Sequence, residues 1–230
     1  MELKDMPKLE SPFEREDVKD VGYVCVPKFK KEFSWILDPN KVIATEKFDG
    51  TNVSIYVEDN QIKKILNRKN NINIWKDKYW FYTGIKKAVD ENKFKLDLVT
   101  DGQYFGELLG EKINGNPHEV TEPIWLPFNY VKEHYYFKFY YNWLGEKFIE
   151  YNKENIITDQ YIYNQFSELM KNLKSLWFRK RGKEIAPEGI VFHNKETSEM
   201  CKLRIDMFDW YTGPRHKWKE FEDKKEILEE

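Results

Sequence analysis

The feature that most constrains this chain is an alternation of apolar and polar residues that begins just after residue 50. Apolar residues at 53, 55 and 57 alternate with Asn52, Ser54 and Tyr56, and this period of two is typical of a strand with one buried face. Turn-forming residues at 58–60 are followed by a second apolar run at 62–66. The segment therefore predicts a β-hairpin with Gly50 at its start.

Shorter signals extend this pattern along the chain. Apolar residues at 162, 166, 169 and 173 have helical spacing, with Thr158 or Asp159 as the expected N-cap. Helices are predicted at 77–91 and 159–178. Further strands are predicted at 22–26, 42–44, 103–109, 135–140, 188–193 and 200–205. Many short strands around two helices predict an α+β fold.

The composition is that of a soluble globular chain, with 34% charged and 40% hydrophobic residues in 230. No apolar run approaches the roughly 20 residues of a membrane span, and the first residues lack the apolar stretch of a signal peptide. Cys25 and Cys201 cannot build a disulfide framework. We therefore expect a cytoplasmic protein without a membrane partner, and the lysine-rich composition is compatible with a virus or phage protein acting in its host cell.

Charge and aromatic content restrict the expected partners. The net charge is −2 and the sequence pI is about 6.2, which argues against a highly basic nucleic-acid coat but allows a local basic site. Aromatic residues make up 17% of the chain. They could stack on bases, although aromatic side chains are more often part of a core.

One short string contains the residue types of a reactive site. Lys47 lies where a strand should end, between the carboxylates of Glu46 and Asp49, and a glycine follows. By itself the string fits a solvated turn as well as an active site.

Four later strings favour the active site. Arg68 follows the second hairpin strand, whereas Glu107 and Glu188 stand beside apolar strand residues. A carboxylate in such surroundings is costly to bury without a partner. Lys202 and Arg204 alternate along a strand and so point to one face. These residues predict a shared pocket.

The residue types in this pocket suggest a particular chemistry. A lysine side chain has an ordinary pKa of about 10.4 and becomes a nucleophile only in a desolvated or cationic site. Cations such as Lys202 and Arg204 suit phosphate oxygens, and carboxylates such as Glu107 and Glu188 suit a hard metal ion. The combination predicts attack by Lys47 on the α-phosphate of a nucleotide. The sequence contains no P-loop and no G-x-G-x-x-G string.

At this point the sequence resembles a known family. EKFDGTN, FGELLG, PEGIVF and CKLR resemble motifs I, III, IV and V of the covalent nucleotidyltransferases, which are ATP-dependent RNA and DNA ligases and capping guanylyltransferases. Motif I, with Asn52 and Arg68, is most similar to the RNA ligases that seal nicks in duplex RNA. The resemblance implies an ATP-grasp-like adenylation domain of antiparallel sheets flanked by helices.

The resemblance also implies a role for each residue that matches a motif, with ATP and Mg²⁺ or Mn²⁺ as cofactors. Lys47 is the implied adenylated nucleophile, and Lys202 and Arg204 would hold the α-phosphate and the departing pyrophosphate. The implied contacts are Glu46 on the adenine, Asp49 beside the nucleophile and ribose, Asn52 and Arg68 on the 5′-phosphate end or the adenylate phosphate, and Glu107 on the ribose. Glu188 would bind the metal, with Glu107 orienting its waters.

The sequence departs from the family pattern in three respects. The family has an aromatic residue followed by aspartate between motifs III and IV, whereas here Phe137 or Phe139 could stack on the base and no aspartate follows. The second cation of motif V is usually lysine but is Arg204 here. The residues after Arg204 are too few for an OB-fold or a helical domain. We therefore expect one domain over 1–230, with an extension at 1–38, a core at 39–210 and a helical tail at 211–230.

The expected substrate is RNA, nicked or single-stranded, with DNA as the second option, bound by a monomer. Basic residues that could contact nucleic-acid phosphates are Arg68, Lys63, Lys64, Lys69, Arg179, Lys180, Arg181 and Lys183. Two alternatives within the chemistry are a small DNA ligase and a GTP-using capping guanylyltransferase. A non-enzymatic alternative is a nucleic-acid-binding remnant of the fold.

Overall fold

The computed structural model of the chain describes residues 3–19, 21–68, 70–73, 79–153 and 155–213. The strands among these residues are β1 (Phe13–Val18), β2 (Gly22–Phe29), β3 (Val42–Lys47), β4 (Thr51–Glu58), β5 (Gln61–Asn67), β6 (Asn70–Asn71), β7 (Gly102–Leu109), β8 (Ile124–Pro127), β9 (Gly189–Asn194) and β10 (Met200–Arg204). The α-helices are α1 (Tyr79–Asp90), α2 (Phe128–His134), α3 (Phe139–Leu144), α4 (Asp159–Asn172) and α5 (Leu176–Arg179). A π-helix at Gly145–Glu150 continues α3, and 3₁₀-helices lie at Lys31–Leu37, Leu96–Leu98 and Ile205–Met207.

The chain divides into two compact units. Unit 1 consists of Met1–Lys8, Phe48–Phe137 and Lys174–Ile185, and unit 2 of Leu9–Lys47, Lys138–Leu173 and Ala186–Glu230. The domain boundaries predicted from the sequence stay predictions. Most of the predicted helical tail, residues 214–230, lies outside the described residues.

Unit 1 is built on an antiparallel sheet in the order β6-β5-β4-β7-β8. One face of this sheet packs against α1, where Val53 and Ile55 meet the buried side chains of Phe81 and Ile85. Full burial of such a side chain stabilises the fold by about 1.5–3 kcal/mol. The indole of Trp125 is also buried in this layer and donates a hydrogen bond to the Val53 carbonyl at 3.0 Å.

A second apolar layer of unit 1 is rich in aromatic rings. It includes Phe48, Tyr135, Trp177 and Phe178, and the imidazole of His118 lies against three of these four rings. These five residues are called the aromatic cluster below. Because Phe48 follows Lys47 directly in the chain, the cluster fixes the backbone immediately after the candidate nucleophile.

Unit 2 contains a three-stranded antiparallel sheet in the order β10-β9-β3 and a hairpin of β1 and β2. Helix α4 packs on β2. Phe166 of α4 makes edge-on ring contacts with Phe13 of β1 at 5.8 Å and with Phe192 of β9 at 6.0 Å. The core of unit 2 therefore joins the hairpin, the helix and the sheet.

The α+β fold class is confirmed, and the predicted 53–66 hairpin forms as β4 and β5. The strands predicted at 103–109, 188–193 and 200–205 agree with β7, β9 and β10 within one residue at each end. Thr158 caps α4, because its Oγ1 accepts a hydrogen bond from Tyr161 N at 3.2 Å.

The strand predicted at 135–140 is wrong. Residues 139–144 form α3, and Tyr140, Leu144 and Phe148 are buried at helical spacing. The run of aromatic residues favoured a strand by local propensity, but burial on one helix face overrides that preference. The helix predicted at 159–178 is interrupted at Leu173, and Ser175 begins α5 by accepting a hydrogen bond from Phe178 N at 3.1 Å.

Both thiols lie in unit 2 and are buried, with Cys25 2% exposed and Cys201 fully buried. Burial raises the pKa of Cys25 to about 11 and also raises that of Cys201. Neither thiol is therefore suited to nucleophilic chemistry. Among the described residues, none of the helices combines the length and the apolarity that a membrane crossing would require.

Candidate active site

Lys47 is the last residue of β3, and strand pairing determines its neighbours in unit 2. It stands opposite Gly189 of β9, and Gly189 in turn stands opposite Arg204 of β10. Directly opposed residues of an antiparallel pair project to the same face. Lys47 and Arg204 therefore share a face, and Lys202, opposite Val191, lies one step further along it. The alternation predicted for Lys202 and Arg204 is confirmed by this register.

The amine of Lys47 is paired with a carboxylate. Its Nζ donates a hydrogen bond to Glu188 Oε2 at 2.5 Å, and the two side chains are 19% and 13% exposed. Glu188 directly precedes β9, and its carbonyl oxygen accepts a hydrogen bond from Ile205 N at 3.0 Å. Water screens this pair less than it would an exposed pair. Two predicted site residues that are distant in the sequence thus meet in unit 2.

The space opposite Lys47 depends on a glycine. A Cβ atom on Gly189 would lie 2.1 Å from the Leu203 carbonyl oxygen and 2.8 Å from Arg204 Cα. Backbone atoms of β10 therefore occupy the volume that any other side chain would need. The close approach of β9 and β10 keeps Lys47, Gly189 and Arg204 in one row across the three strands.

Arg204 is held by an acidic neighbour. Its Nε lies 2.9 Å from Asp206 Oδ1, as an ion pair without hydrogen-bond geometry, and the side chains are 12% and 11% exposed. Burial lowers the pKa of Arg15 on β1; among the nearby groups, Cys25 raises this pKa and the positive charge of Arg204 lowers it. The backbone of Lys202 is fixed by a hydrogen bond from its N–H to the Glu10 carbonyl at 2.8 Å.

Glu46 points away from Lys47. Neighbouring residues of a strand alternate in direction, so Glu46 lies on the face of β3 that also carries Ala44. It is 1% exposed. Its predicted contact with the adenine stays a prediction. On the Lys47 face, the hydroxyl of Thr45 lies 3.0 Å from Nε2 of the buried His193.

Unit 1 brings Asn52 and Glu107 together. They stand opposite each other on β4 and β7, so both side chains project from the face opposite Val53. Asn52 Oδ1 is buried and accepts no hydrogen bond from any residue that the structure describes. A buried carbonyl oxygen without a donor suits a ligand that brings one. Arg68 follows β5 in the left-handed region, with a φ of 53°, which is unusual for arginine.

The turn after Lys47 is held by residues between β7 and β8. The Asp49 N–H donates to His118 Nε2 at 2.9 Å. Asn114 Nδ2 donates to Asp49 Oδ1 at 2.7 Å and to the Gly50 carbonyl at 2.9 Å. Gly50 itself leaves no room for a side chain, since a Cβ atom there would lie 2.5 Å from the Leu108 carbonyl oxygen. Asp49 and Gly50 are therefore both fixed within unit 1.

The two candidate stacking residues differ in exposure. Phe137 is 1% exposed and belongs to unit 1, whereas Phe139 is 44% exposed at the start of α3 in unit 2. Phe139 is therefore accessible at the surface, whereas Phe137 is part of the core. The role of either ring stays a prediction.

The sequence profile of the RNA ligase family matches residues 40–219 of this chain. The chain belongs to the RNA ligase family. The matched range includes all four motifs, from Lys47 to Arg204, so the predicted family is confirmed. A search of curated protein sequences found no match.

Several solved structures of an RNA ligase from Naegleria gruberi are similar to this chain. A lysine-to-alanine variant with ATP and Mn is 18% identical over 88% of this chain and 58% of its own, with a TM-score of 0.47. An apo aspartate-to-alanine variant is 17% identical over 90% and 59%, with a TM-score of 0.49. The same ligase with PPi is 18% identical over 88% of this chain and 58% of its own, with a TM-score of 0.47. The chain described here thus covers less than two thirds of the length of the Naegleria ligase.

Most basic side chains at 179–183 have aromatic or acidic partners within unit 1. Lys180 Nζ lies 3.9 Å from the centroid of the Tyr135 ring, and the Arg181 guanidinium carbon lies 3.6 Å from that of Trp177. Lys183 pairs with Glu119, and Arg179 lies 3.7 Å from Glu184. These cations are exposed but cover the aromatic cluster. Lys63 and Lys64 are exposed on β5, whereas Lys69 lies outside the described residues.

Sequence reasoning missed His118, Asn114, Arg15 and Asp206. His118 and Asn114 lie in a connection without periodicity, and no metal or catalytic spacing marks them. Arg15 lies in β1, a strand that was not predicted. Asp206 was overlooked although it follows Arg204 by two residues, a spacing compatible with an ion pair.

Proposed function

We propose that this chain is the catalytic part of an ATP-dependent RNA ligase. It would join a 3′-hydroxyl to a 5′-phosphate through a lysyl-AMP intermediate and an adenylated 5′ end. The observation that carries the proposal is the row on one face of unit 2, in which Lys47 is paired with Glu188 and stands across Gly189 from Arg204. Membership of the RNA ligase family supports this use of the row.

In the first step, Lys47 Nζ attacks the α-phosphorus of ATP. The new N–P bond forms as the bond from that phosphorus to the bridging oxygen breaks, and pyrophosphate leaves. The amine must lose a proton to attack, and Glu188 Oε2, at 2.5 Å, is within reach to accept it. Lys202 and Arg204 would balance the negative charge on the phosphates.

The second and third steps move AMP and then release it. A 5′-phosphate oxygen attacks the phosphorus of lysyl-AMP, the N–P bond breaks, and the lysine amine recovers a proton. A 3′-hydroxyl then attacks the 5′-phosphate, loses its proton, and displaces AMP. In this scheme Lys47 acts in the first two steps, whereas the cations of β10 can assist in all three.

The donor set for a divalent metal is small. Among the described residues there is no group of three or more His, Cys, Asp or Glu side chains that could hold an ion. Mg²⁺ and similar ions are commonly held by one or two carboxylates plus substrate phosphates, so Glu188 with a bound nucleotide fits this pattern. The metal role of Glu107 stays a sequence-based prediction. The metal would supply positive charge to the phosphate oxygens.

The sugar of the nucleotide would be held in unit 1. The buried Asn52 Oδ1 lacks a donor among the described residues, and a ribose hydroxyl can supply one. Glu107 stands directly opposite Asn52 and adds a carboxylate acceptor. We propose that this pair binds the ribose, with Asp49 close to it in sequence.

The proposal is tested by covalent labelling. The protein is incubated with radiolabelled ATP or GTP and Mg²⁺ or Mn²⁺, denatured, and examined for a stable adduct. An adduct with ATP supports the ligase, and an adduct with GTP alone indicates a capping enzyme. If neither forms, and mass spectrometry shows no preloaded AMP, the enzyme proposal fails and the nucleic-acid-binding remnant remains. Sealing of nicked RNA, nicked DNA and single strands then identifies the substrate.

Arg179 provides a test of the proposed RNA contact. We expect Arg179→Gln to weaken binding of nicked RNA a few-fold and to lower the slope of log affinity against log salt by about 1, since one phosphate contact is lost. Lys86→Gln is the control, because Lys86 is also an exposed cation near a carboxylate of unit 1. Equal salt slopes for both variants would exclude Arg179 from the contact.

The monomeric state and the cytoplasmic location stay predictions.

A further inference from the structure

The connection between β7 and β8 contacts the motif that contains the candidate nucleophile. Three hydrogen bonds run from His118 and Asn114 to Asp49 and Gly50, at 2.7–2.9 Å. The partners are 64–69 residues apart in the sequence. Asp49 follows Lys47 by two residues, so these bonds fix the backbone of the same motif just after the candidate nucleophile.

The His118 ring can act only as an acceptor toward Asp49. A backbone N–H donates to its Nε2, so Nε2 carries no proton, and a neutral ring then carries its proton on Nδ1. The ring is 4% exposed and lies against Phe48 at 5.2 Å and Phe178 at 6.2 Å. The His118 carbonyl also accepts a hydrogen bond from the Trp177 indole at 3.0 Å. Packing therefore holds Nε2 at a fixed point.

Asn114 contacts the carboxylate of the turn. Its amide nitrogen donates to one oxygen of Asp49 and also to the Gly50 carbonyl. Asn114 has a φ of 49°, next to Gly115 at 73° and Asn116 at 56°, and backbone of this kind persists where the surroundings enforce it.

We propose that His118 and Asn114 are positioning residues for adenylation. His118 holds the Asp49 backbone, and Asn114 sets the direction of the Asp49 carboxylate, two residues after the proposed nucleophile Lys47. This inference rests on the proposed ligase function. It assigns to the β7–β8 connection a role in the transfer of AMP from ATP, in addition to its packing role.

The first experiment compares two variants that differ in one acceptor. His118→Gln can offer an amide oxygen near the position of Nε2, whereas His118→Leu cannot. We expect His118→Leu to lower the rate of adduct formation about 10- to 100-fold at saturating ATP, the range for loss of a catalytically placed hydrogen bond. His118→Gln should recover most of that rate. Equal losses in both variants, with matched melting temperatures, would overturn the role of the acceptor.

The second experiment uses an exposed residue, so that folding is preserved. Asn114→Ala should slow adduct formation about tenfold, with less effect on sealing of a pre-adenylated 5′ strand, since one oriented hydrogen bond to a carboxylate is lost. Asn92→Ala is the matched control, because Asn92 is also exposed and has a φ of 56°. An Asn114→Ala enzyme that forms adduct at the wild-type rate would overturn the proposal.

A third measurement does not depend on ligase activity. Hydrogen exchange of the Asp49 amide, measured without nucleotide, should be faster in His118→Leu than in wild type and close to wild type in His118→Gln. Unchanged exchange in His118→Leu would refute the hydrogen bond itself. If exchange behaves as expected but wild-type protein forms no adduct, the proposed function fails while the contact stands.

Discussion

Lys47→Arg is expected to abolish the covalent nucleotide adduct, with a loss of at least about a thousandfold in the rate of the first step. Arginine keeps a positive charge that can pair with Glu188, 2.5 Å from the native amine. A guanidinium remains protonated and is a poor nucleophile. The substitution therefore removes the nucleophile while retaining the ion pair.

The choice of arginine matters because Glu188 is only 13% exposed. Lys47→Ala would leave this carboxylate without its partner from Lys47 and could destabilise unit 2, which would confuse a loss of chemistry with a loss of fold. Lys41→Arg is the control, since Lys41 lies in the same unit and pairs with Glu196 at 3.7 Å. The adduct is measured by gel and by mass spectrometry. An adduct that persists in Lys47→Arg would place the nucleophile elsewhere.

Gly189→Ala is expected to be the second most damaging change. Its Cβ would lie 2.1 Å from the Leu203 carbonyl oxygen, which is backbone and cannot rotate away. β9 and β10 would have to separate locally, at a cost of about 1–3 kcal/mol or more in the free energy of unfolding. Arg204 would move with its strand, so adduct formation should fall even under conditions in which the variant is folded.

Gly145→Ala is the matched control in the same unit. A Cβ atom there meets nothing within 4 Å, and the residue has helical angles, with a φ of −55°. Alanine at such a site is expected to be neutral or to stabilise by about 0.4–1 kcal/mol. Urea unfolding of both variants gives the comparison. If Gly189→Ala unfolds at the wild-type urea concentration and forms adduct normally, the close approach is not required.

The strands that carry the motifs could be predicted because their patterns are local. Alternation placed Lys202 and Arg204 on one face, and the position of Lys47 at a strand end followed from the apolar residues before it. The opposite direction of Glu46 follows from the same alternation along β3. The family resemblance, not the spacing, supplied the roles of these residues.

The remaining features depend on contacts that no local pattern encodes. His118 and Asn114 reach the Lys47 motif from 64 or more residues away, through a connection without periodicity. The aromatic residues at 135–140 favour a strand by propensity, but their surroundings put part of them into a helix. The helical spacing of apolar residues continues through Leu173 and gives no sign of the break there. The break arises because Ser175 caps a new helix.

The two buried cysteines can be used as probes of the stability of unit 2. Cys25 and Cys201 are at most 2% exposed, and both belong to the unit that carries Lys47, Glu188 and Arg204. A maleimide can therefore reach them only when that unit opens. The rate of thiol labelling under native conditions, relative to the rate for the unfolded chain, gives the free energy of opening of this unit, without added denaturant and without any nucleotide.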